Sequence, residues 1–326
     1  MNATNMRKVL CVQGMPKAGL DLFAARDDIE VEIVHEGPGF DLRAHLGDIH
    51  GITLFGTRYT RELIAATPGL EVCSRFGVGF DSVDVPALTE RGVPLMVAGT
   101  ANSVTVAEHA MFMMLDLAKM ARQYHAGVAA GNFGVRNEYS ALDLYEKRLL
   151  SVGFGRIGSR TVKRALGFEM DVQVYDPYAD PAAVRAAGAE PVDDLDRALA
   201  EADFVTIHCP RNEETYGLIG AERLARMKPT AIIVTTARGG IVNEAALIEA
   251  LQNRTILAAG IDVFDPEPPL PGNPLFTMDN VLLSPHSAGV TRESMDRMAM
   301  VTCQNVIDVF DGRPVPAHVV NKEVLG

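Results

Sequence analysis

Short apolar runs alternate with amphipathic stretches along this chain, and that alternation sets the expected architecture. Residues 7–13, 31–35, 51–55, 70–74 and 94–97 are apolar runs of strand length. Helical spacing fills the gaps at 17–25 and 63–66. A single long helix is predicted over 103–130, with Val106, Ala110, Met113, Met114 and Leu117 on its apolar face. Residues 131–146 are polar and irregular and read as an arm. Apolar runs resume at 149–152, 172–175, 204–208, 231–235, 257–263 and 281–283, with helices predicted at 159–168, 243–252 and 291–311. Gly312 is a suitable stop for the last helix, and 313–321 has enough Val and Pro to pack as a tail on the first section. Strand–helix alternation of this kind predicts parallel sheets covered by helices. Two such α/β sections follow one another, the first the smaller.

One stretch does more than alternate. The run 149–152 leads directly into Gly153-Phe154-Gly155-Arg156-Ile157-Gly158, then a helix, a second strand and Asp176. Gly153 allows a tight turn, Gly155 lets the backbone approach a pyrophosphate, and Gly158 lets the helix pack on the strand. The helix N-terminus offers free N–H groups and partial positive charge to phosphates. Asp176 stands near the spacing of about 20 residues expected of an acid that binds the adenosine ribose. Its charge repels a 2′-phosphate, and Pro177 and Tyr178 follow it rather than an Arg, so NAD is favoured over NADP.

The chain has 326 residues and a net charge of −12. The length fits two domains, and the acidic balance argues against nucleic acid or an anionic membrane as partner. No apolar run reaches the about 18 residues of a membrane span. The N-terminus lacks the apolar core of a signal peptide, so a cytoplasmic protein is expected. Cys11, Cys73, Cys209 and Cys303 are scattered and mostly within apolar runs. They read as buried free thiols, not as a disulfide frame or a metal site.

Ligands of open α/β sheets bind beyond the carboxyl ends of the strands. Past the strands of the second section stand His208, Arg238, Glu267 and His286. Hydride transfer at a carbonyl makes or consumes an alkoxide, which needs a proton donor near neutral pH. A histidine of ordinary pKa, about 6.5, suits this task. A neighbouring Glu stabilises the imidazolium and fixes its tautomer. An Arg pairs bidentately with a carboxylate and polarises the adjacent carbonyl. Read alone, His208 as readily ends a strand as binds a ligand, and His109 reads as structural.

The motifs VGFGRIG…YDPY, TTARGGIVNEAAL, GIDVFDPEP and SPHSAG, preceded by RFGVGFDSVD and NSVTVAEHA, resemble the D-isomer-specific 2-hydroxyacid dehydrogenase family over nearly the whole chain. The resemblance implies two Rossmann-like, doubly wound parallel-sheet domains, with an NAD-binding domain (104–289) inserted into a smaller flavodoxin-like substrate domain (1–103 and 290–326). It implies Arg238 as the residue that binds the substrate carboxylate and carbonyl, His286 as the acid/base and Glu267 as its partner. The backbone amides of Val78 and Gly79 would hold the carboxylate as a small nest. Gly153, Gly155, Arg156, Ile157, Gly158 and Asp176 would bind NAD, with Thr105, His208, Thr236, Ala237 and Asp262 as further contacts. A homodimer is implied as well, and the 131–146 arm is compatible with a subunit interface. The implied reaction moves a hydride between nicotinamide and C2 of a small D-2-hydroxy or 2-oxo acid.

Departures from the family bear on the substrate. Asp143-Leu144-Tyr145-Glu146-Lys147 carries Glu where the usual ELxGK segment has Gly. Phosphoglycerate dehydrogenases typically carry an Arg-Ser pair ahead of the first-domain helix; Leu54-Phe55 stands there, with Arg58 and Arg75 as substitute cations. Formate-type members carry Gln at the position of Glu267, which argues against formate. Hydroxypyruvate or glyoxylate is therefore expected first and 3-phosphoglycerate second, while Phe55, Phe76 and Phe80 would suit a bulkier acid. No regulatory domain is expected beyond Gly326. An NADH-responsive, non-enzymatic scaffold of the corepressor type is the rival from another class, and a plain structural α/β protein is a third.

Overall fold

The computed structural model describes residues 6–138 and 140–326, so the first five residues and Tyr139 of the arm lie outside it. The chain divides into two compact units, Met1–Asn102 with Val290–Gly326, and Ser103–Gly289.

The first unit contains β1 (Arg7–Val12), α1 (Lys17–Ala24), β2 (Ile29–Val34), β3 (Gly51–Leu54), α2 (Arg61–Ala65), β4 (Val72–Arg75), α3 (Val85–Glu90) and β5 (Leu95–Met96). The strands order as β2-β1-β3-β4-β5, and every pairing is parallel. This is the flavodoxin-like order, with its switch point between β1 and β3. Successive side chains of β1 go to opposite faces. Leu10 and Val12 join a core with Ile64 and Leu88 of α2 and α3, while Val9 and Cys11 join Phe23 of α1 and Val306 and Phe310 of the C-terminal helix Arg292–Phe310. Both faces are covered, which is why the strands read as continuous apolar runs rather than alternating ones. The helix starts follow local chemistry: Asp84 Oδ1 accepts from Ala87 N at 2.9 Å, and Pro lies in the first turn of α3. The tail returns as expected, with Val97 N donating to His318 O and Val320 N to Leu95 O, both at 2.9 Å.

The second unit opens with α4 (Ser103–Lys119) and α5 (Ala121–Ala129). The expected single helix over 103–130 is thus two helices. Met120 adopts φ +52, a left-handed conformation that interrupts the run. No Gly or Pro stands at the break, so no residue there signals it. Then follow β6 (Arg148–Val152), α6 (Gly158–Gly167), β7 (Asp171–Tyr175), α7 (Pro181–Ala186), β8 (Glu190–Val192), α8 (Leu195–Glu201), β9 (Phe204–Ile207), α9 (Ala221–Arg226), β10 (Ile232–Thr235), α10 (Glu244–Gln252), β11 (Ala258–Ile261) and β12 (Val281–Leu283). The sheet is parallel throughout, in the order β12-β11-β10-β9-β6-β7-β8. Its switch point lies between β6 and β9, so the loops after those strands flank one crevice. The methionines of α4 serve as core: Met111, Met113 and Met114 pack with Val162 of α6 and with Ile232 and Val234 of β10.

All four cysteines are free; Cys11, Cys73 and Cys303 are buried and Cys209 partly so. Burial pushes the Cys11 and Cys209 thiols up to about 11 and that of Cys73 to about 12. Among the described residues no helix is long and apolar enough to cross a membrane.

Candidate active site

The glycine turn is held by backbone contact. Gly153 turns at φ +104, and its N–H donates to Tyr175 O at 2.9 Å. A Cβ there would lie 2.8 Å from Cys209 N, and one on Gly158 would lie 2.2 Å from Gly153 O. Nothing lies within 4 Å of a Cβ placed on Gly155, the open approach that a bound pyrophosphate requires. α6 starts at Gly158 without a side-chain cap, so no capping side chain competes for the donors of its first turn. Arg156 is exposed and Ile157 half-buried just ahead of it. Asp176 braces the turn: Oδ2 accepts from Phe154 N at 2.8 Å and Oδ1 from Tyr178 N at 3.0 Å. Each carboxylate oxygen keeps a further lone pair for a ribose hydroxyl. These residues fit a dinucleotide.

His208 joins the same turn from the next strand, because Val152 and Ile207 are register partners. Its Nε2 meets Thr206 Oγ1 at 3.0 Å, while its Nδ1 is covered and has no hydrogen-bond partner among the described residues. Some of the residue's surface remains accessible, but enclosure of the ring drives its pKa down to about 3, so it is neutral at neutral pH. Thr105 is buried near the start of α4, and Thr236 is buried just past β10, its hydroxyl without a hydrogen-bond partner among the described residues. Ala237, beside it, is half-buried.

The ends of β10, β11 and β12 carry the titratable groups. His286 Nδ1 lies 2.5 Å from Glu267 Oε1, and the two side chains keep 44% and 38% exposure, enough to meet a ligand. Partial burial disfavours the Glu267 carboxylate, but the hydrogen bond and charge of His286 outweigh it, helped by the Phe264 backbone and the charge of Arg238. The carboxyl therefore sits below its ordinary range. Arg238, whose Nη1 donates to Ala237 O at 2.7 Å, thus shares an electrostatic neighbourhood with this pair.

His286 has a left-handed backbone, φ +52, which a non-glycine residue holds only when its surroundings over-determine it. Asp262 supplies that constraint. It is fully buried, and its O accepts from His286 N at 2.8 Å. Its Oδ1 accepts from Ser284 Oγ at 2.5 Å and Ser287 N at 2.8 Å, and its Oδ2 from Ala288 N at 3.0 Å. Ser284 Oγ in turn meets His109 Nε2 at 3.0 Å. Burial is the main influence on His109 and lowers its pKa, against the opposing charge of Asp262. Asp262, expected as a cofactor contact, accepts these three bonds from the loop that carries His286. No sequence signal pointed to Ser284 or His109 as its partners.

In the first unit, Leu54 and Arg75 are register partners. Arg75 is buried, at 8% exposure. Its Nε donates to Gly79 O at 2.8 Å and its Nη1 to Leu54 O at 3.1 Å. Gly77 turns at φ +138, and its O accepts from Ala98 N at 2.7 Å. The loop is held from both sides. Val78 and Gly79 remain half-buried, and among the described residues their N–H groups donate to no backbone carbonyl.

Residues 111–288 match the family described as "D-isomer specific 2-hydroxyacid dehydrogenase, NAD binding domain". The chain is 35% identical over 309 residues to D-3-phosphoglycerate dehydrogenase of Archaeoglobus fulgidus, covering 94% of this chain and 58% of that protein. It is 37% identical over 267 residues to glyoxylate reductase of Korarchaeum cryptofilum, covering 81% and 80%. The crystal structure of the TT0316 protein from Thermus thermophilus superposes with a TM-score of 0.88 at 33% identity, over 96% of this chain and 99% of that one. The chain belongs to the D-isomer-specific 2-hydroxyacid dehydrogenase family, and Ser103–Gly289 contains its NAD-binding domain. It spans between 50% and 58% of the length of three of the phosphoglycerate dehydrogenases that it matches.

Proposed function

We propose that the protein is an NAD-dependent oxidoreductase that interconverts a small 2-oxo acid and the corresponding D-2-hydroxy acid. The observation that carries this reading is the 2.5 Å contact between His286 and Glu267. Bound NADH would supply the hydride to C2. Arg238 pairs with the substrate carboxylate and polarises the C2 carbonyl. With Nδ1 held by Glu267, His286 uses Nε2 to donate a proton to the carbonyl oxygen as negative charge builds there. Glu267 stays ionised and stabilises the imidazolium. Atoms balance as one oxo acid, one NADH and one proton giving one hydroxy acid and NAD+; in oxidation His286 accepts the proton instead.

Gly153, Gly155, Arg156, Ile157, Gly158 and Asp176 bind the dinucleotide, with Thr105, His208, Thr236 and Ala237 around it, while Asp262 acts by holding His286. The Val78 and Gly79 amides hold the carboxylate, which makes Met1–Asn102 with Val290–Gly326 the substrate unit. Among substrates, hydroxypyruvate and glyoxylate are favoured over 3-phosphoglycerate. Arg75, one of the two substitute cations for a phosphate, is committed to Gly79 and Leu54. A homodimer suits the exposed Phe112, Val128 and Phe133 on α4, α5 and the arm. A reducing cytoplasm suits four unpaired cysteines.

The test is loss of NADH absorbance with glyoxylate and hydroxypyruvate. Turnover supports the reading. Tight NADH binding with no turnover of any 2-oxo acid would favour the scaffold class instead.

A further inference from the structure

The carboxyl ends of β3 and β4 release two aromatic rings side by side. Phe55 and Phe76 each follow one of the register partners Leu54 and Arg75, and their ring centroids lie 5.4 Å apart with a tilt of 44°. Phe76 is buried at 5% exposure, whereas Phe55 remains 44% exposed. Phe80, on the far side of the 77–79 loop, is 41% exposed. Arg75 ties Gly79 O and Leu54 O together, so the loop amides and the base of Phe55 are held as one piece. A phosphate ester placed here would need cationic partners. Residues 55–60 and 76–83 contain a single cation, Arg58, and add the negative Asp81.

We propose that this unit selects an unphosphorylated 2-oxo acid whose C2 bears an apolar group, arylmethyl or branched alkyl. The carboxylate lies on the Val78 and Gly79 amides and the apolar group covers Phe55. This rests on the reductase reading above. Desolvating the exposed face of Phe55 against an apolar group is favourable, whereas a hydrated aldehyde or a phosphate gains nothing from that ring.

The experiment measures kcat/KM for phenylpyruvate, 4-methyl-2-oxopentanoate, glyoxylate, hydroxypyruvate and phosphohydroxypyruvate in the full chain, in Phe55→Ala and in Arg58→Ala. Circular dichroism confirms that each variant folds; Phe55 is exposed enough that truncating it opens no core cavity. The expected result is a preference of about tenfold or more for an apolar acid over glyoxylate. In Phe55→Ala the phenylpyruvate-to-glyoxylate ratio should fall by about tenfold. A ratio unmoved by Phe55→Ala overturns the proposal. So does a preference for phosphohydroxypyruvate that Arg58→Ala abolishes. Turnover of glyoxylate without preference for apolar acids sinks the inference and leaves the reductase reading standing. Turnover of no 2-oxo acid removes both.

Discussion

Each unit places a glycine-rich loop after a parallel strand, and the two loops are stiffened by different means. The 153–158 loop is fixed by close backbone packing, with Asp176 bracing Phe154 N: Gly158 packs so closely that a Cβ would sit 2.2 Å from Gly153 O. It also leads directly into α6, a helix of ten residues whose dipole faces the turn. The 77–79 loop leads into no such helix; the next one, α3, begins only at Val85. A buried Arg75 guanidinium fixes it instead, by taking the carbonyls of Gly79 and Leu54. A pyrophosphate is matched by close backbone approach and a helix N-terminus. A lone carboxylate needs only a small nest of N–H groups held in place. Glycine content alone does not tell these two designs apart; what surrounds the glycines does.

Substitution at Gly158 should break the first design most severely. Gly158→Ala forces backbone apart, so a loss of about 3 kcal/mol in stability is expected, and NADH affinity should weaken about 100-fold or more, as read by fluorescence titration. Gly155→Ala should instead fold like the parent, since nothing of the protein meets its Cβ, while NADH binding weakens about tenfold. Equal stability losses in the two variants would refute the division of labour drawn here.

The second design breaks at Arg75. Arg75→Met leaves the half-buried Gly79 carbonyl without the donor that holds it, while Leu54 O keeps Phe76 N at 2.8 Å; one uncompensated carbonyl costs about 1–3 kcal/mol. Substrate KM should rise about tenfold, with NADH affinity unmoved because that site lies in the other unit. An unchanged KM would show that the loop does not need its clamp.

The smallest effect concerns His208 beside the first loop. Its folded pKa of about 3 lies below the ordinary value of 6.5, so on acidification the unfolded chain takes up this proton first. The stability associated with neutral His208 is fully present above pH 6.5 and declines as the pH falls toward 3, by at most about 1.4 kcal/mol per pH unit. Urea melts at pH 7 and 5 should therefore show a shallower loss in His208→Asn. Identical slopes would mean that the ring is not held neutral.

Much of this was legible in the sequence, for identifiable reasons. Both sheets are parallel and buried on two faces, so their strands are dense apolar runs, and the glycine turn with Asp176 is a local pattern. Arg238, Glu267 and His286 were legible as a group because strand ends of one parallel sheet share an edge. What stayed hidden depends on distant contacts or on backbone conformation. The break at Met120 is marked by no Gly or Pro between Ala118 and Arg122. The segment from α7 to α8 is short and Ala-rich, and β8 contains Pro191, which an edge strand tolerates; the Asp180 cap before Pro181 was the available signal. Arg75 could be read equally as a surface charge, since its partners are carbonyls with no side-chain signature. Likewise nothing in the residue names Asp262 or His286 announces a left-handed histidine held by a buried carboxylate.

The most direct test of the central claim is kcat/KM for NADH-dependent reduction of the best 2-oxo acid by His286→Ala, with NADH affinity measured on the same sample. If His286 donates the proton, kcat/KM falls by about 100-fold to 10,000-fold while NADH still binds as in the parent. A His286→Ala enzyme that turns over at close to the parent rate would contradict the account.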